Sequence, residues 1–271
     1  MVSKCVFPVA GLGTRFMPVT ATVPKELLPV SFSPLITYGL LEAYEANIKE
    51  FAFVVSKKKK AIRDFFDNEI SFLSNDSKQL KHIEWHNQLI KNCEFEYIEQ
   101  KQMLGLGHAI STAESFINGQ KFAVILPDDL CYSQNQVLID KMIKVSNQYP
   151  DSCIVALEEV AIEEVSKYGI VSGYYAVDDE IFCINDMVEK PNFDKAPSNL
   201  AIIGRYVLTP NIFSVLSKTL PDSKGEIQIT DALKVLAKSG NVIGVINKGK
   251  RFDCGNPNGL LSANNFFKEH I

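Results

Sequence analysis

Small residues followed by a cation stand directly behind the first apolar run of this sequence: Ala10-Gly11-Leu12-Gly13-Thr14-Arg15. With no bulky side chains in the way, backbone N–H groups can face a phosphate or the edge of a base. Arg15 adds a planar, permanently charged fork matched to phosphate oxygens. Further on, Pro24-Lys25-Glu26-Leu27-Leu28-Pro29 sets a lysine and an acid between two prolines. The prolines stiffen that loop and can hold Lys25 toward the same phosphates. Taken alone, such a segment reads more readily as a tight turn with Arg15 and Lys25 solvated. It is not the GxGxxG dinucleotide fingerprint, because Pro18 stands near where a continuing helix should run. This counts against a dehydrogenase.

Three further groups suit the same chemistry. Gln100, in Glu99-Gln100-Lys101-Gln102-Met103-Leu104-Gly105-Leu106-Gly107-His108-Ala109, has an amide that donates and accepts in one plane, as the O4 and N3–H edge of uracil requires. Gly105 and Gly107 permit close approach there; a glycine-capped surface turn would look the same. Leu126-Pro127-Asp128-Asp129 follows a clean apolar run. Carboxylates at the C-terminal end of a parallel strand stand where α/β proteins bind ligands, and Mg²⁺ is usually held by one or two carboxylates plus phosphates. Asp253, in Lys250-Arg251-Phe252-Asp253-Cys254-Gly255-Asn256, is either a second such carboxylate or a turn acid.

The elements that must position these groups alternate. Apolar, β-branched runs at Lys4–Val9, Phe51–Val55, Phe95–Ile98, Phe122–Leu126, Cys153–Leu157, Gly169–Val171, Leu200–Leu208 and Val242–Ile246 predict buried strands. Helical patterns fall at Pro34–Asn47, where proline opens the first turn, and at Lys58–Ile70, His108–Phe116, Gln228–Ser239 and Pro257–His270. Alternation implies a largely parallel sheet with helices on both faces. After Asp151 the runs crowd together, with turns expected at Gly173 and near Asp178-Asp179-Glu180. That predicts an antiparallel excursion. No Pro/Gly/Ser-rich linker divides the chain. It reads as a single domain over 1–271, with a first half (1–150), a second half carrying a substrate-binding insertion (151–255) and a C-terminal helix (256–271).

With 46% hydrophobic and 22% charged residues the composition is that of an ordinary globular protein, and a net charge of -4 argues against a nucleic-acid surface. Six cysteines without a CxxC pair predict free thiols in a reducing compartment. No run is long enough to cross a bilayer and the N-terminus lacks a signal-peptide pattern. The expectation is a cytoplasmic protein without membrane contact.

Together, PVAGLGTRFMP (residues 8–18) and PKELLPV (residues 24–30) resemble the signature of the sugar-1-phosphate nucleotidyltransferases, most nearly the bacterial UTP–glucose-1-phosphate uridylyltransferases. GLGHA, Tyr168-Gly169, Val188-Glu189-Lys190-Pro191, Ser198–Tyr206, Gly225–Asp231 and the late DCG segment match the family in order from Val6 to Gly255. The resemblance implies a Rossmann-like three-layer α/β fold with a mainly parallel mixed sheet and an antiparallel sugar-binding insertion. It implies a loop wrapped around the nucleoside triphosphate. Ala10 and Gly11 would meet uracil through the backbone, Gly13 and Thr14 would lie along the nucleotide, and Glu26 would stand near the base. Gln100 and Gly105 would read uracil, and Arg15 and Lys25 would bind the triphosphate. Asp128 and Asp253 would hold Mg²⁺. Gly169, Glu189, Ile202 and Glu226 would face the sugar, with Lys190 on its phosphate. Glu226 serves equally as a helix N-terminal charge, and Thr230 as a cap. The family often forms dimers or tetramers, so a homo-oligomer is implied. Two segments depart from the pattern: Ser31-Phe32-Ser33-Pro34, and Glu99 where many members carry arginine.

The implied reaction joins UTP to glucose-1-phosphate by Mg²⁺-assisted in-line displacement. A relative using dTTP or another sugar phosphate, and a non-catalytic nucleotide-sugar sensor, are the competing readings. Other features suggest nothing functional. Lys57-Lys58-Lys59-Lys60 reads as a solvated helix start, His82 and His86 as surface or packing residues, and Asn75-Asp76-Ser77 as a sequon without a secretory context.

Overall fold

Apolar runs without polar alternation need cover on both faces, and the central strands receive it. The computed structural model describes residues 2–71, 76–176 and 179–270. The chain begins with β1 (Lys4–Pro8), a short hairpin of β2 (Pro29–Val30) and β3 (Ser33–Pro34), α1 (Leu35–Glu45) and β4 (Glu50–Val55). There follow α2 (Lys60–Asp67), α3 (Ser77–Asn92), β5 (Glu94–Glu99), α4 (Gly105–Ser111), α5 (Glu114–Ile117) and β6 (Phe122–Ile125). Next come β7 (Asp129–Tyr132), α6 (Leu138–Gln148), β8 (Cys153–Glu159), β9 (Gly169–Tyr175), β10 (Ile181–Glu189) and β11 (Leu200–Leu208). The last elements are α7 (Asn211–Leu216), α8 (Ile229–Ala237), β12 (Val242–Ile246), β13 (Lys250–Asp253) and α9 (Pro257–His270).

One mixed sheet carries the order β5-β4-β1-β6-β11-β8-β12-β10-β9. β5, β4, β1 and β6 are parallel, as are β8 and β12. β11 runs antiparallel to β6 and β8, and β10 to β12 and β9. Successive residues point to opposite faces. Val6, Phe122, Val124, Val155 and Leu157 enter one apolar layer with α4, α5, α7 and α8. Cys5, Phe7, Ala123, Ile154 and Ala156 enter the other, under α1, α2, α3 and α6. The result is the expected three-layer α/β fold with a mixed sheet, but antiparallel neighbours are as common as parallel ones rather than the sheet being mainly parallel. A third cluster joins α9 to β7 and β13 through Phe267, Phe252 and Leu130, which ties the end of the chain to the start of the site.

Several local expectations change. Pro34 is extended, and α1 starts one residue later. The pattern at His108–Phe116 is two short helices, α4 and α5. Gly173 is not a turn: it pairs with Ile184 inside the antiparallel sheet. A Cβ there would lie 2.0 Å from the Cys183 carbonyl oxygen, so only glycine fits. Asp179 and Glu180 do lie in a turn, while Asp178 and Asn75 lie outside the described residues. Among the described residues, no helix is long and apolar enough to cross a membrane.

Candidate active site

Because β5, β4, β1 and β6 are parallel neighbours, the chain leaves all four at one edge of the sheet. Open α/β sheets bind ligands outside such an edge. The loop after β1 brings Ala10, which is buried, and Gly11, Thr14 and Arg15, which are exposed. Gly13 adopts φ 66°, and a Cβ there would sit 3.2 Å from the Lys25 Cβ. Glycine thus lets this loop lie against the Pro24–Pro29 loop, and Thr20 fixes it by donating to the Gly13 carbonyl at 2.7 Å.

The loop after β6 presents Asp128, whose Oδ2 accepts from Lys25 Nζ at 2.5 Å. Burial raises the Asp128 carboxyl, but the Lys25 charge and hydrogen bond outweigh it and hold it below the usual carboxylate range. Asp253, at the end of β13, comes to the same place. A Cβ on Gly255 would lie 2.9 Å from Asp253 Oδ1, 3.1 Å from Asp128 Oδ2 and 3.7 Å from an Arg15 guanidinium nitrogen. Arg15, Asp128 and Asp253 therefore converge on a residue without a side chain. The Cys254 amide donates to the Asp128 carbonyl at 2.7 Å, which fixes the two carboxylate-bearing turns to each other.

Lys59 is a correction to the sequence reading. Rather than being solvated with its three neighbours, it is buried before α2 and places Nζ 2.7 and 2.6 Å from the two oxygens of Glu26. Burial pushes the Glu26 carboxyl up and the Lys59 ammonium down, each opposed by the partner's charge. An ion pair this dry holds its loop rigidly, because neither partner tolerates losing the other. It anchors the residue next to Lys25.

Gln100 leaves β5 almost fully buried. Its Nε2 is 3.2 Å from the Gly105 carbonyl oxygen and 2.9 Å from His108 Nδ1. Gly105 has φ 87°, a conformation suited to glycine.

Gly169 and Glu189, expected to face the sugar, are register partners across β9 and β10. Glu189 accepts from Thr230 at 2.7 Å and from Lys190 at 2.7 Å. These groups, with Ile202 and Glu226, line a cavity of about 270 Å³. Glu226 stands before α8, whose first residue is Ile229, and accepts from Gln228 at 3.0 Å. Its Cβ would be 2.9 Å from a Cβ on Gly105. Two backbone hydrogen bonds, Ile227 N–H to the Leu104 carbonyl and Gly107 N–H to the Ile227 carbonyl, both 2.8 Å, stitch this wall to the Gln100 segment. Thr230 is not a cap: Gln228 holds the N-cap position of α8, and the Thr230 hydroxyl instead donates to Glu189.

Asp129, which also lines this cavity, has both carboxylate oxygens engaged by the protein. Its Oδ2 accepts from the Gly204 amide at 2.8 Å and its Oδ1 from Arg251 at 2.6 Å. Arg251 also binds Glu158 and donates to the Tyr168 hydroxyl at 3.1 Å. It thereby ties β13 to the turn that carries Gly169. Sequence reading missed this arginine; its only signal was its place two residues before Asp253.

Known proteins share this arrangement of chain. The nucleotidyl transferase family model matches residues 6–270. A UTP–glucose-1-phosphate uridylyltransferase of Pseudomonas aeruginosa is 46% identical over 100% of this chain and 98% of its own length. One from Staphylococcus saprophyticus is 39% identical over 97% of this chain and 91% of its own. A crystal structure of UDP-glucose pyrophosphorylase complexed with UDP-glucose matches with a TM-score of 0.92 at 46% identity, covering 100% of both chains. A UTP-bound enzyme from Acinetobacter baumannii matches at 0.88 with 34% identity, over 100% of this chain and 95% of its own. With its sequence matched from end to end and its fold superposed on theirs, the chain belongs to the nucleotidyl transferase family, among the UTP–glucose-1-phosphate uridylyltransferases.

Proposed function

We propose that this chain transfers the uridylyl group of UTP to glucose-1-phosphate, forming UDP-glucose and releasing pyrophosphate. The observation that carries this reading is the convergence of Arg15, Asp128 and Asp253 on Gly255, beside a cavity lined by Gly169, Glu189, Ile202 and Glu226. A phosphate oxygen of glucose-1-phosphate attacks the α-phosphorus of UTP in line. The new P–O bond forms as the bond to the β-phosphate oxygen breaks, and pyrophosphate leaves with the electron pair. The nucleophile is already an anion, so no general base is needed. The obstacle is repulsion between polyanions, and catalysis is alignment plus charge neutralisation.

Arg15 and Lys25 draw charge toward the departing pyrophosphate, with Gly13 and Thr14 lining the nucleotide. Ala10 and Gly11 offer backbone groups to uracil beside Gln100 and Gly105, and Glu26 fixes the loop beneath them. Lys190 holds the incoming phosphate, and Glu189 accepts from sugar hydroxyls. Asp128 and Asp253 are hard oxygen donors, and no cluster of three or more His, Cys, Asp or Glu suited to a metal occurs among the described residues. Asp128 and Asp253 would hold Mg²⁺, which suits such a donor set and would supply charge neutralisation. The first half of the chain then serves the nucleotide and residues 151–255 the sugar phosphate. We also infer a cytoplasmic homo-oligomer, a dimer or tetramer, whose mass light scattering would measure.

The test is pyrophosphate release with Mg²⁺ and glucose-1-phosphate, comparing UTP with dTTP, ATP, CTP and GTP. Release with UTP far above the others is the expected result. Release chiefly with dTTP overturns the nucleotide assignment, and no release with any of them overturns the transferase reading.

A further inference from the structure

The Gln100 amide is held in one orientation. Its Nε2 lies against two groups, the Gly105 carbonyl oxygen at 3.2 Å and His108 Nδ1 at 2.9 Å. A carbonyl oxygen only accepts, so the nitrogen end of the amide must face it. Nε2 has two hydrogens, and the second meets the imidazole, whose Nδ1 must then be the unprotonated, accepting nitrogen. Both hydrogens are used inside the protein, so the side chain can accept from a base but not also donate to it, a correction to the donating-and-accepting amide expected from its type. Turning the amide over would press Oε1 against the Gly105 oxygen with lone pairs opposed. Oε1 is the end left for a ligand, and it takes no hydrogen bond among the described residues.

We propose that His108 is a specificity-determining positioning residue: by accepting from Gln100 Nε2, it aims Gln100 Oε1 at the base and so selects a pyrimidine that carries N3–H. Uracil and thymine donate from N3. Cytosine presents a lone pair at N3, which Oε1 repels. The selection falls on the base edge alone, so it separates UTP and dTTP from CTP and does not separate UTP from dTTP. A site built to pair one hydrogen-bonding pattern rejects the complementary one because a desolvated group is left unmatched. Gly105 supplies one acceptor at 3.2 Å and His108 the second at 2.9 Å; the Gly105 contact opposes a full flip, and the His108 contact fixes the plane of the amide, without which it can rotate about Cγ–Cδ and carry Oε1 off line. This inference rests on the reading of Gln100 as the base contact.

The experiment compares the wild-type protein with His108→Leu, which keeps bulk without an acceptor, and His108→Asn, whose side-chain oxygen stands where Nδ1 stood. UTP and CTP binding are measured by calorimetry in the absence of glucose-1-phosphate, and turnover is followed separately. In His108→Leu, UTP binding should weaken and the UTP-over-CTP preference should fall by about tenfold, the worth of one hydrogen bond. KM for UTP should rise more than kcat falls. His108→Asn should restore the preference. An unchanged preference in a folded His108→Leu protein overturns the inference, as does a His108→Asn protein that behaves like His108→Leu. Wild-type protein that binds both nucleotides equally also overturns it. Wild-type protein that prefers UTP in binding but transfers nothing leaves the aiming of Gln100 supported and sinks only the transferase reading.

Discussion

Two lysines of this site respond to substitution in opposite ways. Lys59 is buried against Glu26, so Lys59→Met leaves a desolvated carboxylate unpaired. That should cost about 3 kcal/mol of stability and weaken UTP use by loosening the loop that carries Lys25. Urea denaturation of K59M, E26Q and the double variant checks the coupling; a double variant no more stable than K59M alone would refute it. Lys190 has a side chain about half exposed, 49%, so Lys190→Ala should leave the melting temperature unchanged. Turnover should fall about 100-fold, the scale of losing one charge-stabilising group; wild-type turnover in K190A would remove it from the mechanism. The difference explains what was legible in the sequence. Lys190 stands in a recognisable segment beside Glu189 and Pro191. Lys59 is one of four consecutive lysines, and a run without period does not say which member turns inward. That choice is made by where β4 ends and α2 begins.

At the scale of elements, the glycine-rich loop, the strand before Asp128 and the β11 strand were readable because each combines an apolar run with a distinctive end. The pairs that brace them were not. Arg251 and Asp129 are separated by 122 residues, and nothing local announces that contact. α3 and α6 carry weak signals because their apolar residues are diluted by charge, and Gly173 reads as a turn because strand glycines resemble turn glycines until the partner strand is known. The stitch between α4 and the segment before α8 yields a prediction. A Cβ on Gly107 would lie 2.7 Å from the Ile227 carbonyl oxygen and 2.9 Å from Leu216 Cδ2. Gly107→Ala should therefore cost about 1–3 kcal/mol through overpacking and raise KM for both substrates together. Steady-state kinetics with each substrate varied in turn would show this; a rise confined to one substrate would contradict a shared wall.

Across the whole molecule, the cysteines report how completely the sheet and its cover exclude water. All six are free. Burial pushes the Cys131 and Cys254 thiols up to about 12 and Cys93 to about 11. A group whose pKa is raised in the fold stays protonated until pH passes that value, and the thiolate is the reactive form. At pH 8 the native protein should take up iodoacetamide slowly at Cys131 and Cys254, whereas urea-unfolded protein should label at all six positions. Mass spectrometry of the two samples decides it, and rapid native labelling of Cys254 would mean that the layer joining α9 to β13 opens readily. The continuity of the molecule has one more effect, centred on Ile227, whose amide and carbonyl both belong to the seam between the Gln100 segment and the cavity wall at Glu226. On the proposed reading, recognition of the two substrates is not inherited in separate modules. A laboratory selection that reshapes the cavity through Glu226 or Gln228 to admit a new sugar will carry nucleotide choice along with it, and the two preferences must be evolved as one trait.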